Sequence, residues 1–210
     1  MVSGGYYFQG FSYFVNFLTS DKENTTMKQD NRLKRGFFTR DVLDVAPSLP
    51  GKMLCVKGSD GLICRHMITE VEAYRGEDDE ACHVSRGRTP RNRIMYERGG
   101  HIYMYLVYGL HWMLNIVTGE EEVPQAVLIR GISGFDGPGK LTRNLKIDGS
   151  YYGLDITVSG NIWLEDHGLE VDLARGKRIG IDYAGLYWRD IEWRYYALSL
   201  IHISEPTRPY

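Results

Sequence analysis

Cysteine is scarce in this sequence and is not arranged for cross-linking. The 210 residues include three cysteines, Cys55, Cys64 and Cys82, and no two of them have Cys-x-x-Cys spacing. The odd number and the irregular spacing argue against a disulfide framework and against a cysteine-based zinc site. We therefore expect reduced thiols, as in a cytoplasmic protein.

The chain also lacks an excess of charge of one sign. It has 25 Lys and Arg residues against 27 Asp and Glu residues, which gives a formal net charge of -2. Because the molecule as a whole does not attract a polyanion, any binding of nucleic acid needs a local basic patch.

No apolar run is long enough to cross a bilayer. The aromatic stretch at residues 6–18 is interrupted by Gln9, Ser12 and Asn16, and no Lys or Arg precedes it. It is too short for a membrane span and does not fit a signal peptide. We therefore predict no association with a membrane.

The two ends of the sequence differ from the part between them. A polar segment at residues 20–26 follows the aromatic stretch, and Met27 offers an alternative start. We expect residues 1–30 to be a disordered or non-native extension. The segment 199–210 continues no earlier pattern and resembles translated sequencing-adapter sequence, so we expect it to be foreign to the gene; a genuine tail is the alternative.

Short alternating segments between turn residues predict a sheet. Residues 53–58 and 62–74 read as strands around a turn at 59–61, and residues 101–118 read as a hairpin that turns at Tyr108-Gly109. Thr39 or Asp41 would cap a helix. Further strands are predicted at 126–132, 161–166, 177–185 and 193–198, and a helix at 139–145. The pattern indicates an α+β fold: one mixed domain at residues 31–198, dominated by a mainly antiparallel β-sheet with peripheral helices.

Glu70 and Glu72 lie two residues apart on a predicted strand, and an acidic cluster follows at residues 77–80. Side chains two apart on a strand share a face, so Ile68, the two carboxylates and Tyr74 point the same way. Paired carboxylates suit a general base, because a neighbouring acid raises the pKa toward the working range. The alternative is that these glutamates are surface charges and that the acidic cluster is a solvated loop.

A basic run follows the acidic cluster. Residues 86–93 carry four arginines with Gly and Pro between them: Arg86, Arg88, Arg91 and Arg93. Guanidinium groups on a loop suit phosphate oxygens, which fix the position of a nucleic acid without reading its sequence. An exposed loop that neutralises the preceding acids remains the alternative.

The predicted hairpin is rich in aromatic residues. Tyr103 and Tyr105 alternate onto one strand face, and Tyr108 falls at the tip beside Gly109. A bulky ring at a tight turn is poorly placed for a core and well placed to wedge into a base stack. For Tyr103 and Trp112, core packing is the alternative.

Together these segments resemble the alkyladenine (3-methylpurine) DNA glycosylase family. The resemblance extends from about Phe37 to Tyr196 and rests on the strand TEVEAY, the loop DEACH with TPRNRIM, the hairpin YMYLVYGLHWMLNI, the strand VLIR and the later GPGKL. It implies a curved sheet with a protruding β-hairpin, and a base-excision repair enzyme. Such an enzyme flips an alkylated or deaminated purine from duplex DNA and hydrolyses its N-glycosidic bond.

The resemblance also implies roles for single residues. Glu72 would be the general base that activates water, and Arg130 would hold that water and the carboxylate. Asn115 would reject guanine by a clash with its 2-amino group. The residues implied to bind the damaged base are Tyr74, His83, Tyr105 and Asn115. Those implied to contact DNA are Tyr108, Arg86, Arg88, Arg91, Arg93 and Lys140.

No lysine lies in the TEVEAY strand or the hairpin, so we predict water as the nucleophile and a monofunctional enzyme without lyase activity. We expect no cofactor and no metal. The expected partner is double-stranded DNA that contains a damaged purine, bound by a monomer without an obligate protein partner in a bacterial, nucleoid-associated setting. The sequence does not rank 3-methyladenine, 7-methylguanine, hypoxanthine and ethenoadenine as substrates. For neutral bases, His83 or a water would protonate the leaving group.

Two other classes of function stay open. The first is a non-catalytic DNA-damage binding module with the same fold, for which a buried general base would have no use. The second is a metal-dependent hydrolase that uses the acidic cluster and histidines, although no tight His-x-x-x-His pairing is present. Its candidate ligands would be His66, His83, His101 and His111.

Overall fold

The computed structural model describes residues 30–200. The predictions for residues 1–29 and 201–210 lie outside the described residues. The helices of the described part are short: α1 Arg35–Phe38, α2 Val42–Ser48, α3 Pro138–Asn144 and α4 Leu186–Asp190. None of them is long and apolar enough to span a membrane.

The described residues form nine β-strands. They are β1 Met53–Lys57, β2 Ile63–Arg75, β3 Ile102–Val107, β4 His111–Thr118, β5 Gln125–Ile132, β6 Phe135–Asp136, β7 Ile162–Glu165, β8 Val171–Gly176 and β9 Arg194–Leu200. Two 3₁₀ turns, Arg93–Tyr96 and Gly149–Tyr151, lie between strands.

The long strand β2 organises a curled antiparallel sheet. The strand order is β3-β4-β5-β2-β1-β7, β6 pairs with β5, and β9 pairs with both β2 and β8. The first half of β2 pairs with β1, whereas its second half lies between β5 and β9. A strand of 13 residues can serve both sets of neighbours because its pairing changes along its length. The predicted α+β class and the curved antiparallel sheet are confirmed.

One face of this sheet carries the hydrophobic core. The inward residues of β2, β5, β4 and β3 alternate with the residues of the other face, as the two-residue repeat of a strand requires. They pack on Phe38 and on the buried side of α2. The core residues of these four strands are Ile68, Val71, Ala73, Ile102, Met104, Leu114, Ile116, Val127, Ile129 and Ile132.

The hairpin β3–β4 forms as the sequence predicts, with its turn at Tyr108 and Gly109. That it protrudes from the domain stays a prediction. Asp41 caps α2, since its carboxylate accepts a hydrogen bond from the backbone N–H of Leu43 at 2.9 Å. Of the two proposed caps, Asp41 is therefore the one used.

Two details of the predicted pattern were wrong. Residues 177–185 contain no strand; the strand of this region is β8, which ends at Gly176. In β2, the pairing shifts between Ile68 and Val71, and Ile68 joins the hydrophobic core. A β-bulge adds a residue and so changes which side chains share a face.

Gly99 marks a close backbone contact that fixes α1 against the sheet. A Cβ atom at this position would lie 2.2 Å from the carbonyl oxygen of Phe38. We expect Gly99→Ala to lower the free energy of unfolding by about 1–3 kcal/mol, because backbone would have to move. Urea unfolding measures the change. Gly36→Ala is the control, since a Cβ there meets nothing within 4 Å; equal effects of the two changes would contradict this account.

Candidate active site

Four side chains lie in one row across the second face of the sheet. Glu72 on β2 is paired with Leu128 on β5, Leu128 with Asn115 on β4, and Asn115 with Tyr103 on β3. Directly opposed residues of antiparallel strands point to the same side. The register therefore brings together residues that are far apart in the sequence.

Glu72 is the most constrained group of this face, and its side chain is fully buried. One carboxylate oxygen, Oε2, accepts a hydrogen bond from the hydroxyl of Tyr74 at 2.8 Å. The other, Oε1, accepts from the backbone N–H of Ile179 at 2.7 Å and lies 3.4 Å from Nη1 of Arg130. A buried carboxylate needs such partners, because it has lost its hydration.

These contacts act on the pKa of Glu72 in opposite directions. Burial is the largest effect and raises the pKa, whereas Arg130, the Ile179 N–H and the Tyr74 hydroxyl lower it; the balance is a raised pKa. Burial also raises the pKa of Tyr74, and the neighbouring Glu72 carboxylate adds to this. Tyr74 therefore stays a hydrogen-bond donor. A carboxyl with a raised pKa is suited to accept a proton near neutral pH.

Arg130 connects the two glutamates predicted to share a face. Its Nε atom donates to Oε1 of Glu70 at 3.2 Å while Nη1 faces Glu72. Arg194 on β9 donates to the same oxygen of Glu70 at 3.0 Å. The chain Arg194–Glu70–Arg130–Glu72 therefore alternates in charge and fixes the orientation of the Arg130 guanidinium.

A cavity of about 500 Å³ opens over this face. Tyr74, Arg130 and Ile179, which are the three partners of Glu72, all line it. The predicted base-binding residues Tyr74, His83, Tyr105 and Asn115 all line it as well. The geometry thus combines a buried carboxylate with an aromatic cavity beside it.

His83 is fixed within a cluster of aromatic rings. Its Nδ1 atom lies 2.8 Å from the Tyr103 hydroxyl, and its ring meets that of Tyr105 edge-on at 4.4 Å between centroids. Burial, together with a smaller effect of the charge of Arg91, lowers the pKa of His83 to about 4. The imidazole is therefore neutral at pH 7.

Asn115 is buried and held by its own hairpin. Its side-chain amide donates to the carbonyl oxygens of Tyr103 and Met113, at 3.2 Å each. Because both contacts are to the backbone of β3 and β4, the side chain has little freedom to move away from a group that enters the cavity.

The predicted DNA-contacting residues lie at the surface. Tyr108 is 90% exposed, has a φ of 52°, and also lines the cavity. Arg88 differs from its neighbours, since it forms an ion pair with Glu122 at 2.8 Å and lies over the Tyr96 ring. The remaining predicted contacts are exposed: Arg86, Arg91, Arg93 and Lys140.

Sequence reasoning missed a buried ion pair below the cavity. Asp79 belongs to the acidic cluster at residues 77–80, for which a solvated loop is one of the two interpretations, but its side chain is fully buried against Arg178. Neither the position of Arg178 nor the role of the Ile179 N–H has a local sequence signal, because the partners are about a hundred residues away along the chain.

The histidines proposed as metal ligands are engaged separately. His66 faces the carbonyl oxygen of Ser133, and His101 faces that of Arg98. Within residues 30–198, no group of three or more His, Cys, Asp or Glu side chains is arranged to hold a metal ion.

Comparison with known proteins gives a consistent family. A family model described as methylpurine-DNA glycosylase matches residues 36–137 and 133–199. A protein of Psychrobacter cryohalolentis is 44% identical over an alignment of 182 positions, which covers 73% of this chain and 86% of that protein. A protein of Clostridium novyi is 36% identical over an alignment of 202 positions, which covers 83% of this chain and 98% of the relative. Both carry the name "Putative 3-methyladenine DNA glycosylase".

The depressed pKa of His83 predicts a pH-dependent stability. Between about pH 6.5 and about pH 4, the unfolded chain binds a proton at this residue that the folded chain does not bind. The free energy of unfolding should therefore fall as the pH is lowered through this window. Urea unfolding of the wild type and of His83→Gln at pH 7 and pH 4.5 measures this. The decline should be smaller in the variant, and an equal decline would contradict a neutral His83.

Proposed function

The chain belongs to the methylpurine-DNA glycosylase family, and we propose that it flips a damaged purine into the cavity and hydrolyses its N-glycosidic bond with water activated by Glu72. The observation that carries this proposal is the fully buried Glu72 carboxylate, whose partners line an aromatic cavity. A module that only binds damaged DNA gains nothing from a buried carboxylate, because burial of the charged form is unfavourable.

The cavity suits a purine that has left the base stack. Glycosylases extrude their target nucleotide because the scissile bond is not reachable inside the duplex. Base–aromatic stacking contributes about 1–3 kcal/mol per base, and Tyr74, Tyr105 and His83 supply rings on the cavity wall. Since His83 is neutral at pH 7, it does not repel an alkylated purine, which is cationic.

The bond changes follow from the charge of the substrate. For a cationic alkylated purine, the oxygen of water bonds to C1′ of the sugar as the C1′–N9 bond breaks, and the bonding electron pair goes to the purine, which leaves as a neutral base. A neutral purine such as hypoxanthine would also need a proton as it leaves, which His83 or a water would donate. Glu72 takes the proton of the water and, as a carboxylate, stabilises the oxocarbenium-like transition state. Arg130, 3.4 Å from Oε1 of Glu72, keeps the carboxylate in position.

Selectivity would come from the rigid parts of the cavity. Asn115 is held by two backbone carbonyls, so it would clash with the 2-amino group of guanine instead of moving aside. Cation–π attraction to the aromatic walls favours a cationic purine over a neutral one by about 1–2 kcal/mol. Damaged bases also unstack more easily.

We assign a monofunctional reaction. A lyase would need an amine that attacks C1′ to form a Schiff base, and no lysine is among the described residues that line the cavity. Lys140 is exposed on α3 and is assigned to the DNA backbone. The arginines of residues 86–93 are assigned to phosphates, with Arg88 exchanging its partner Glu122 for DNA.

Replacement of Glu72 tests the chemical step. We expect Glu72→Gln to lower single-turnover release of the damaged base by about 10²–10⁴-fold, because the general base is lost, while binding to the lesion duplex is kept. The matched control is Glu70→Gln, which removes a carboxylate from the other side of Arg130 and should reduce the rate far less.

The assay uses duplexes with one hypoxanthine or ethenoadenine, and methylated DNA, in the presence of a chelator. Lesion-specific binding without release by wild type and variant would support the damage-binding module instead. Release that the chelator abolishes would support the metal-dependent hydrolase.

Tyr108 tests the flipping step. It lies at the hairpin turn with 90% of its surface exposed, and we expect Tyr108→Ala to slow release from duplex DNA about tenfold, since nothing then fills the gap in the stack. Single-stranded substrate should be processed equally by wild type and variant, because it needs no wedge. Leu110→Ala changes a neighbouring exposed residue of the same turn and is the control. An equal loss on both kinds of substrate would show that Tyr108 does not act as a wedge.

A further inference from the structure

A buried ion pair, Asp79 and Arg178, lies next to the residues that hold Glu72. Both side chains are fully buried, and the guanidinium donates to the two carboxylate oxygens at 2.6 and 2.9 Å. Such a pair is weak evidence of stabilisation, because both charges have lost their hydration. Nε of Arg178 is also buried, with no acceptor among the described residues. The terminal nitrogens of the guanidinium, in contrast, donate to Asp79 and to the backbone carbonyl oxygens of Ala73 and Trp188.

Arg178 binds the strand that carries the catalytic carboxylate. Its Nη1 atom donates at 3.0 Å to the carbonyl oxygen of Ala73, which lies between Glu72 and Tyr74 on β2. The guanidinium carbon lies 4.9 Å from the centroid of the Tyr74 ring. The next residue, Ile179, donates its backbone N–H to Glu72 at 2.7 Å. Arg178 thus holds the backbone of β2 next to Glu72, and the residue that follows Arg178 supplies the N–H that binds the Glu72 carboxylate.

Asp79 also binds the backbone of its own loop, residues 76–83, which contributes to the wall of the cavity and is called the His83 loop below. Its carboxylate accepts hydrogen bonds from the backbone N–H groups of Arg75 at 3.1 Å and Ala81 at 3.0 Å. Ala81 and His83 both line the cavity. The ion pair is consequently a direct link between this loop and the residue next to the backbone amide that holds Glu72. Tyr183 and Gly185 add hydrogen bonds from the same segment to Ala81 and Glu80.

We propose that Asp79 and Arg178 are positioning residues of the glycosylase reaction, which hold the Ile179 amide on Glu72 and keep the His83 loop in register with it. This inference rests on the proposed function. It concerns residues that touch neither the water nor the base, and it predicts that their loss changes the chemistry and not only the stability.

Several charged and titratable groups face Glu72 and act on its pKa. They are Glu70 and Tyr74 on β2, Arg130 on β5, Tyr105 on β3, and Arg178, Tyr183 and the Ile179 N–H from the segment before β9. The Ile179 N–H lowers the pKa of Glu72. If this bond is lost, a higher pH is needed to ionise the base.

Arg178→Lys is the first test, because it keeps the charge and removes the two-pronged contact. We expect single-turnover release to slow by about 10–100-fold, as for other displacements of catalytic groups. The acid limb of the rate–pH profile should move to higher pH. Wild type and Glu72→Gln are measured in parallel. If the proposed function is wrong, these two proteins do not differ in base release. If only this inference is wrong, they differ as expected and Arg178→Lys behaves like the wild type.

Asp79→Asn distinguishes position from charge. Through charge alone, Arg178 without its counter-ion would lower the pKa of Glu72 and move the acid limb to lower pH. If the variant instead displaces the Ile179 N–H from Glu72, the pKa of Glu72 rises and the acid limb moves to higher pH. We expect the second result together with a slower rate. If Arg178→Lys does not give a folded protein by circular dichroism, the same measurements on Asp79→Asn decide.

Glu165→Gln is the control for a weakened ion pair away from the cavity. Glu165 on β7 lies 3.1 Å from Arg65 and does not line the cavity. This change should lower the melting temperature without moving the acid limb. The inference is overturned if folded Arg178→Lys keeps the wild-type rate and profile, or if Asp79→Asn shifts the acid limb to lower pH at an unchanged rate.

Discussion

A carboxylate removed from water must be held by donors and opposite charge, and the burial of Glu72 is the constraint on which the rest of this site depends. The three groups that hold it come from different parts of the fold: Tyr74 from the same strand, Arg130 from the neighbouring strand, and Ile179 from a segment about a hundred residues later. Each of them also lines the cavity. The groups that surround the proposed base are thus the same groups that shape the cavity proposed to hold the damaged purine.

The antiparallel sheet explains how polar and aromatic side chains can lie on one face while the other face carries the hydrophobic core. Along β2, Val71 and Ala73 face the core, whereas Glu72 and Tyr74 lie on the other face, where Tyr74 lines the cavity and donates to the buried Glu72. The sequence shows this alternation as a two-residue period. For that reason the strand, the aromatic hairpin and its turn at Tyr108 could be predicted without coordinates. The family resemblance added roles to these positions.

The parts that could not be predicted depend on long-range partners. Asp79 stands in an acidic run that is typical of a solvated loop, and the positive charge that compensates its burial comes from Arg178, 99 positions away. The segment 177–185 alternates like a strand, but its backbone is used to reach Glu72 instead of a neighbouring strand. Ile68 changed face because of a bulge that has no clear local signal. Arg88, a predicted phosphate contact, is paired with Glu122 in the absence of DNA.

The most direct measurement is a crystal structure of Glu72→Gln bound to a duplex with one lesion that the wild-type protein releases. The account predicts the damaged purine in the cavity between the rings of His83, Tyr105 and Tyr74, its C1′ facing residue 72, and Tyr108 in the gap of the duplex. A lesion that remains stacked in the DNA, or that binds away from the face of the sheet that carries residue 72, would contradict it.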